Sequence, residues 1–463
     1  MTNWQEELAR YIVNLEDHID LLKYRLGGRF FGRDPLMIQP YRGFGSDRRL
    51  FIKGRVLEDK GIEPAADADT IWNNLLNMYR RFESDEVPFA RVLVKYQDQE
   101  QEVEADIEGY FEAWIEPDQP VQSGQIWQQV QLELVVPNPP DSKPVLAEGQ
   151  VLVPPSGAQY GVISDIDDTV LQTDATHLLN MARTVFLGNA RTRLPFKGVA
   201  AFYRALYHAA HGGIQKEAEE KLPFNPLYYV SSSPWNLYDL LSDFFHLQDI
   251  PIGPVLFLRD WGISEQEFIP SGHRSHKMKA IRTILDTCSS LPFILVGDSG
   301  QEDPEIYSEV VSLYKDRILA IYIRNVSRDL KRPEAIHKLA EQVAKAGSTL
   351  ILADDTLPMA EHAASQGWIR TEDLPEIAAE KRADEQPTEI EKILGKQAAP
   401  KEEPPTVVVK TETPEQTEEA VEEGVIEEAL HVEEKTKEPP AVIIEEEDKN
   451  AASDEADDEK HGG

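Results

Sequence analysis

Tyr160-Gly161-Val162-Ile163-Ser164-Asp165-Ile166-Asp167-Asp168-Thr169-Val170 is the stretch from which the rest of the chain can be read. The apolar run Gly161 to Ile163 leads into three carboxylates, Asp165, Asp167 and Asp168, and Thr169 follows them. A short apolar run bounded by turn signals predicts a buried strand. Three acids at its end concentrate negative charge on one rim of a sheet. That is costly unless a cation shares the place, because neighbouring carboxylates resist common ionisation. Oxygen ligands of this hardness suit Mg²⁺. These residues alone leave a second reading equally open: Asp and Thr are good N-caps, and the stretch is then a strand with a capped turn.

Further strand-like runs follow at 227–230, 255–258, 293–296, 318–323 and 349–353, most of them separated by helical segments. That alternation predicts an α/β domain with a mainly parallel sheet covered on both faces. In such sheets sites form beyond the carboxyl ends of the strands. Three groups fall there. Leu227-Tyr228-Tyr229-Val230 runs into Ser231-Ser232-Ser233-Pro234-Trp235, a hydroxyl cluster that either holds a phosphoryl group at a helix start or simply caps that helix. His276-Lys277-Met278-Lys279 opens a helix with charges of the wrong sign for its dipole. A lysine there makes sense if it points at an anion; otherwise it is a surface lysine. Phe293-Ile294-Leu295-Val296 leads into Gly297-Asp298-Ser299-Gly300-Gln301-Glu302-Asp303, which returns carboxylates to a strand end or forms an Asp/Gly turn.

Taken in order, Asp-x-Asp-x-Thr, a serine, a lysine and Gly-Asp with a further Asp resemble the four-motif set of the haloacid dehalogenase (HAD) superfamily. The finer stretches Asp165–Val170, Tyr229–Trp235, Leu258-Arg259-Asp260-Trp261-Gly262, Gly297–Tyr307 and Ile321-Tyr322-Ile323-Arg324 resemble the catalytic domain of the fungal actin-patch phosphatidate phosphatases and their bacterial relatives, and more distantly the lipins. The likeness covers about 151–370, and more loosely the preceding module, where Pro40-Tyr41-Arg42-Gly43-Phe44-Gly45 fits.

The resemblance implies a Rossmann-like sheet and Mg²⁺-dependent phosphoryl transfer. It makes Asp165 the nucleophile that forms an aspartyl-phosphate. Asp167 becomes the acid that protonates the leaving alkoxide and then the base that activates water. It assigns the metal to Asp165, the Asp167 backbone carbonyl and Asp298, with Asp303 beside them. Ser231 and Lys277 would bind the phosphoryl oxygens, with Lys279 as the alternative to Lys277. Thr169 and Arg259 stand on the substrate side; Arg259 either touches the substrate phosphate or pairs with Asp260.

The remainder divides into a helical stretch at 1–27, a β-sandwich-like domain at 28–150, the HAD-like domain at 151–370 and an acidic tail at 371–463. Leu8, Ile12, Leu15, Ile19, Leu22 and Leu26 lie on one amphipathic helical face. Between 50 and 136, four alternating segments have strand composition, interrupted by helical spacing at 69–79. The basic interval from Lys23 to Arg55, with Phe30, Phe31 and Phe44 interleaved, either contacts an anionic surface or pairs with the acidic remainder of the protein. Residues 171–225 predict a small helical insertion, too short for a large lid over the site.

Of the 463 residues, those at 371–463 include 30 acidic and 10 basic side chains, more than half of the net charge of −36. Such a balance argues against a nucleic-acid partner. The tail is rich in Pro, Glu, Lys and Thr without aromatics past 383, so it is expected to be disordered. Cys288 is the only cysteine and reads as a core residue at a helix end, which fits a reducing compartment. There is no basic-then-apolar leader and no run of 18 apolar residues, so a soluble, cytoplasmic protein is expected, peripheral at a membrane if its substrate is a lipid. Three functions follow: a phosphatase of phosphatidate or a similar lipid phosphate, a phosphatase of a soluble phosphomonoester, or a non-catalytic lipid-phosphate-binding module. An acid/base aspartate at position 167 disfavours the third.

Overall fold

A computed structural model gives the fold. It describes residues 35–59, 86–121, 126–137, 144–167, 169–170, 198–208, 224–235, 238–259, 270–327, 329 and 331–385. The helix expected at 1–27, the helical spacing at 69–79, most of the insertion at 171–225 and, of the tail expected at 371–463, the part beyond 385 lie outside these residues. The tail's first residues are not disordered as expected, because Leu374–Glu385 is a helix that buries Ile377 in the core.

The α/β half is built on six strands: β9 (Gly161–Asp165), β10 (Leu227–Pro234), β11 (Val255–Arg259), β12 (Phe293–Asp298), β13 (Ile318–Arg324) and β14 (Thr349–Ala353). All pair in parallel, in the spatial order β11-β10-β9-β12-β13-β14. Counted from the first of them this is 3-2-1-4-5-6, so the strand order reverses between β9 and β12. That switch point is where doubly wound sheets open a crevice for ligands. Each strand is a near-continuous apolar run, as burial on both faces demands. Alternate residues serve opposite layers. Val162, Tyr229, Val296 and Tyr322 pack with α1 (Val199–His208), α2 (Tyr238–Leu247), α6 (Leu357–Ser365) and α7 (Leu374–Glu385). Ile163, Tyr228, Leu295 and Ile323 pack with α3 (Pro270–Thr287), α4 (Asp303–Leu313) and α5 (Arg332–Lys345).

The strands run farther than their apolar cores suggest. Val230 pairs with Asp165 and Asp298 with Arg324, so the ladder carries the polar residues that would otherwise start a turn. Cys288 follows α3, buried as expected, and burial pushes its thiol up to about 11.

The preceding half is a mixed sheet of β1 (Leu36–Pro40), β2 (Gly43–Gly45), β3 (Leu50–Glu58), β4 (Arg91–Tyr96), β5 (Gln99–Glu104), β6 (Tyr110–Ile115), β7 (Trp127–Val136) and β8 (Leu146–Leu152). In place of two separate sheets, hydrogen bonding runs through all eight strands. The three-residue β2 is the link, antiparallel to β3 and parallel to β8. Ile52 and Val56 of β3 share one core with Val92 and Val94 of β4 and with Val130 and Leu132 of β7.

Both sheets lie in one compact unit. Phe44 of β2 leaves the first sheet's core and buries its ring with Tyr228 and the α3 layer, centroids 6.2 Å apart. Full burial of such a ring contributes about 1.5–3 kcal/mol. On the opposite layer Tyr41 and Tyr110 join Trp235 and Tyr238. Part of the described basic interval is absorbed by this packing, while Arg48 and Arg49 stay exposed. Lys53 pairs with Glu112 at 3.0 Å, Arg55 with Glu86 at 2.8 Å, and Arg49 lies over the Trp114 ring at 4.0 Å.

Candidate active site

The carboxyl ends of β9, β10 and β12 converge at the switch point. Asp165 is the last residue of β9, Ser231 follows the position paired with it, and Asp298 ends β12. Asp303 is the first residue of α4 and Lys277 lies in the second turn of α3. Asp165, Asp167, Thr169, Ser231, Lys277, Asp298 and Asp303 are all buried. Charged side chains are almost never buried unless paired, so their contacts define the site.

Lys277 Nζ lies 2.7 Å from Asp165 Oδ1 and also pairs with Asp303 Oδ1. Lys279 is exposed, in a groove with Arg274 and Arg282. Lys277 is therefore the lysine of the carboxylate cluster. Helical phase could have separated the two: Lys277 shares a face with the buried Ile281 and Ile284, and Lys279 does not. Burial by itself would lower the Lys277 pKa, but the charges of Asp165 and Asp303 more than offset that and raise it.

Carboxylate oxygens of Asp165, Asp298 and Asp303 lie within 4.8 Å of one another. Burial pushes the Asp165 carboxyl well above the usual range; Lys277 pulls against it, while Asp303, Asp167 and Asp298 add to the rise. Asp298 is pushed up to about 7, mainly by burial and then by Asp303. Its Oδ1 accepts hydrogen bonds from the Gly300 and Gln301 amides at 2.6 and 3.0 Å, and its buried Oδ2 has no hydrogen-bond partner. An orphaned carboxylate oxygen beside two more carboxylates is expensive. A hard divalent cation is the partner this donor set fits. Gly297 permits the arrangement, because a Cβ there would press into the Asp303 carboxylate and the Tyr307 ring.

The Asp167 carboxylate stands apart from the three-carboxylate cluster. Its Oδ2 accepts a hydrogen bond from Ser231 Oγ at 3.0 Å, and its backbone carbonyl lies 3.4 Å from Gln301 Nε2. Thr169 Oγ1 donates to Asp165 Oδ2 at 3.4 Å. Arg259 ends β11, but its side chain lies outside the described residues, as do Asp168 and Asp260. The site thus joins Asp165, Lys277, Asp298 and Asp303 in one group, and Asp167 with Ser231 in an adjoining one.

Two residues that sequence reasoning passed over support this loop. Gln301 reaches back to the Asp167 carbonyl. Arg332, opening α5, donates to the Ser299 carbonyl at 2.9 Å and the Gln301 carbonyl at 2.7 Å, and forms a two-pronged pair with Glu305. It therefore fixes the turn whose amides hold Asp298. A basic residue at a helix start, wrong for the dipole, was the available signal. The same reading of Lys277 does not hold, because α3 begins at Pro270 and Lys277 lies inside the helix instead of opening it. Arg332→Ala should lower stability by about 1–3 kcal/mol. It should also weaken binding of a divalent cation at the cluster roughly tenfold or more, as loss of a ligand's supporting shell does. Calorimetric titration with Mg²⁺ and thermal unfolding check both.

Residues 160–325 match the family model described as "Phosphatidate phosphatase APP1, catalytic domain", a segment that contains every residue of the carboxylate–lysine cluster. The chain is similar to phosphatidate phosphatase APP1 of Saccharomyces cerevisiae, 32% identical over 171 residues, which is 37% of this chain and 26% of that one. It is also similar to an uncharacterised protein of Schizosaccharomyces pombe, 29% identical over 170 residues, 36% of this chain and 25% of that one. The chain spans about a quarter of the length of these curated relatives. Among solved structures, Bacteroides uniformis beta-glucuronidase 2 aligns over 69% of this chain and 39% of its own, at 8% identity and a TM-score of 0.21, too slight a likeness to bear on the fold. The matched segment is homologous to the catalytic domain of the APP1 phosphatidate phosphatases, and the homology points to a phosphatase-type catalytic domain.

Proposed function

We propose that this chain is a Mg²⁺-dependent phosphatase of the HAD type, hydrolysing phosphatidate or a similar lipid phosphomonoester through an aspartyl-phosphate on Asp165. The observation that carries this reading is the buried Asp165 at the end of β9, 2.7 Å from the Lys277 ammonium and clustered with Asp298 and Asp303, inside the segment homologous to a phosphatase catalytic domain.

In the first half-reaction an Asp165 carboxylate oxygen attacks phosphorus, and the bond from phosphorus to the alkoxide breaks. Asp167 gives its proton to the leaving alkoxide. In the second, Asp167 takes a proton from water, which attacks the aspartyl-phosphate and frees both inorganic phosphate and Asp165. Lys277 and Ser231 hold the non-bridging phosphoryl oxygens, Lys277 by charge and Ser231 by its hydroxyl. The hydrogen bond from Ser231 to Asp167 keeps the acid/base group beside the phosphate loop. Asp165, Asp298 and the Asp167 carbonyl would hold Mg²⁺, with Asp303 beside them; when bound, the ion supplies charge that lets an anionic nucleophile approach an anionic phosphate.

A soluble phosphomonoester is the second reading. What favours it is that Lys53 and Arg55 are buried and paired within the chain, which removes them as a ready contact for lipid headgroups. The lipid reading has the protein work peripherally, from the cytoplasmic side; among the described residues no helix is long and apolar enough to cross a membrane.

A phosphate-release assay with Mg²⁺, comparing phosphatidate in mixed micelles with a set of water-soluble phosphomonoesters, separates the readings. The expected result is kcat/KM at least about tenfold higher for phosphatidate, a preference that contacts beyond the phosphate can supply. Equal or faster turnover of the soluble set overturns the lipid assignment, and no release from any substrate overturns the phosphatase itself.

A further inference from the structure

The segment Pro40-Tyr41-Arg42 takes part in no step of the reaction, yet it is where the first sheet meets the end of β10, just beyond Ser231. Tyr41 packs on Trp235 with ring centroids 4.5 Å apart and a tilt of 31°, and on Tyr238 at 4.8 Å, edge to face. The Arg42 amide donates to the Tyr238 hydroxyl at 2.9 Å, and its guanidinium reaches Ser242 Oγ at 3.3 Å. Gln39 Nε2 donates to Asp239 Oδ1 at 2.8 Å. From β3, Lys53 Nζ sits 5.0 Å from the Trp235 ring centre while paired with Glu112. These contacts all fall on residues 235–242, the lead-in and first turns of α2, starting four residues after Ser231.

The parallel sheet does not fix this end of β10 by regular pairing. The β10–β11 ladder is in register through Ser231, shifts, and resumes only at Pro234 opposite Arg259. Ring stacking and a cation over an indole are directional contacts. Here they come from the other sheet and seize the far side of that irregular end.

We propose that Tyr41 is a positioning residue for phosphate binding: by holding Trp235 and Tyr238 it fixes the irregular end of β10 just past Ser231, where the ladder gives no support, and the first sheet is thereby part of the phosphate-binding apparatus. The proposal rests on the reading above, in which Ser231 binds the transferring phosphoryl group. It differs from a purely structural interface in what it says Tyr41 controls, which is affinity for the phosphoryl group.

The test uses the full-length protein with Mg²⁺, p-nitrophenyl phosphate as substrate and inorganic phosphate as competing ligand. Tyr41→Leu keeps apolar bulk but loses the stack. It should raise KM and the phosphate inhibition constant together by roughly tenfold, the scale of a small misplacement in a site, and leave half-saturation by Mg²⁺ unchanged. Tyr41→Phe, which keeps the ring, should restore both constants. Phe44→Leu, cut from the same interface but packed on Tyr228, should lower Tm while KM and the inhibition constant hold. If Tyr41→Leu loses activity only in proportion to its folded fraction, with both constants at the parent values, the proposal is overturned. Should Tyr41→Leu not fold, Gln39→Ala decides instead: a smaller rise in both constants supports the proposal and no rise overturns it. A parent protein that neither turns over substrate nor gains thermal stability from phosphate overturns the phosphatase reading and this proposal with it.

Discussion

Asp165→Asn will abolish phosphate release, by on the order of 10⁴-fold or more, as loss of a nucleophile does, without destabilising the metal-free protein. The loss of turnover follows from chemistry: the amide presents no anionic oxygen to phosphorus, and Asp167, hydrogen-bonded to Ser231, is held apart from the carboxylate cluster and cannot take its place. The stability half follows from electrostatics. Burial raises the Asp165 carboxyl well above the usual range, and Asp303, Asp167 and Asp298 raise it further, against the pull of Lys277. A group so shifted is costly to keep ionised near neutral pH. Asparagine keeps the shape, removes one of the crowded negative charges and leaves Lys277 paired with Asp303. Thermal unfolding in chelator should therefore give a Tm at or above that of the parent. A Tm well below it, or phosphate release near the parent rate, would contradict the assignment of Asp165.

How far the sequence revealed this site depends on which interactions are local. The strand cores of the parallel sheet were visible because strands buried on both faces must be apolar throughout, as in Phe293-Ile294-Leu295-Val296. Their functional ends were visible because Asp165, Ser231 and Asp298 break those runs at the rim where ligands bind. The strand β5 was not: Gln99-Glu100-Gln101-Glu102-Val103-Glu104 has almost nothing to bury and is a strand only because β4 pairs with it on one edge. Nor was the fate of the basic interval, since Lys53 finds Glu112 and Trp235 only once the chain has folded. Partnerships between residues tens or hundreds of positions apart have no periodicity to betray them. Tyr41 with Trp235 and Arg332 with Gln301 are of that kind.

The proposed metal requirement gives the second large effect, and its pH dependence has a defined sign. Asp298 titrates near 7 in the folded protein, against about 4 for an ordinary aspartate. A carboxyl whose folded pKa is raised favours the fold fully in acid, below about pH 4, and that contribution is lost as pH rises through about 7. The metal-free protein should thus lose stability steadily between those limits. On the proposed reading Mg²⁺ would bind the ionised form, so the stabilisation it gives should be small at pH 5 and large at pH 8. At a hundredfold excess over its dissociation constant that stabilisation is about 2.7 kcal/mol. Asp298→Asn removes both the titrating group and a metal-directed oxygen. In that variant the difference in Tm between Mg²⁺ and chelator should vanish at every pH, the metal-free protein should resist the rise to pH 8 better than the parent, and Mg²⁺-dependent turnover should be lost. The two readouts are independent, because the Tm difference is measured without substrate. If Asp298→Asn still gains the parent's Tm increment from Mg²⁺ at pH 8, the ion is held elsewhere, and the orphaned Oδ2 of Asp298 is not what it binds.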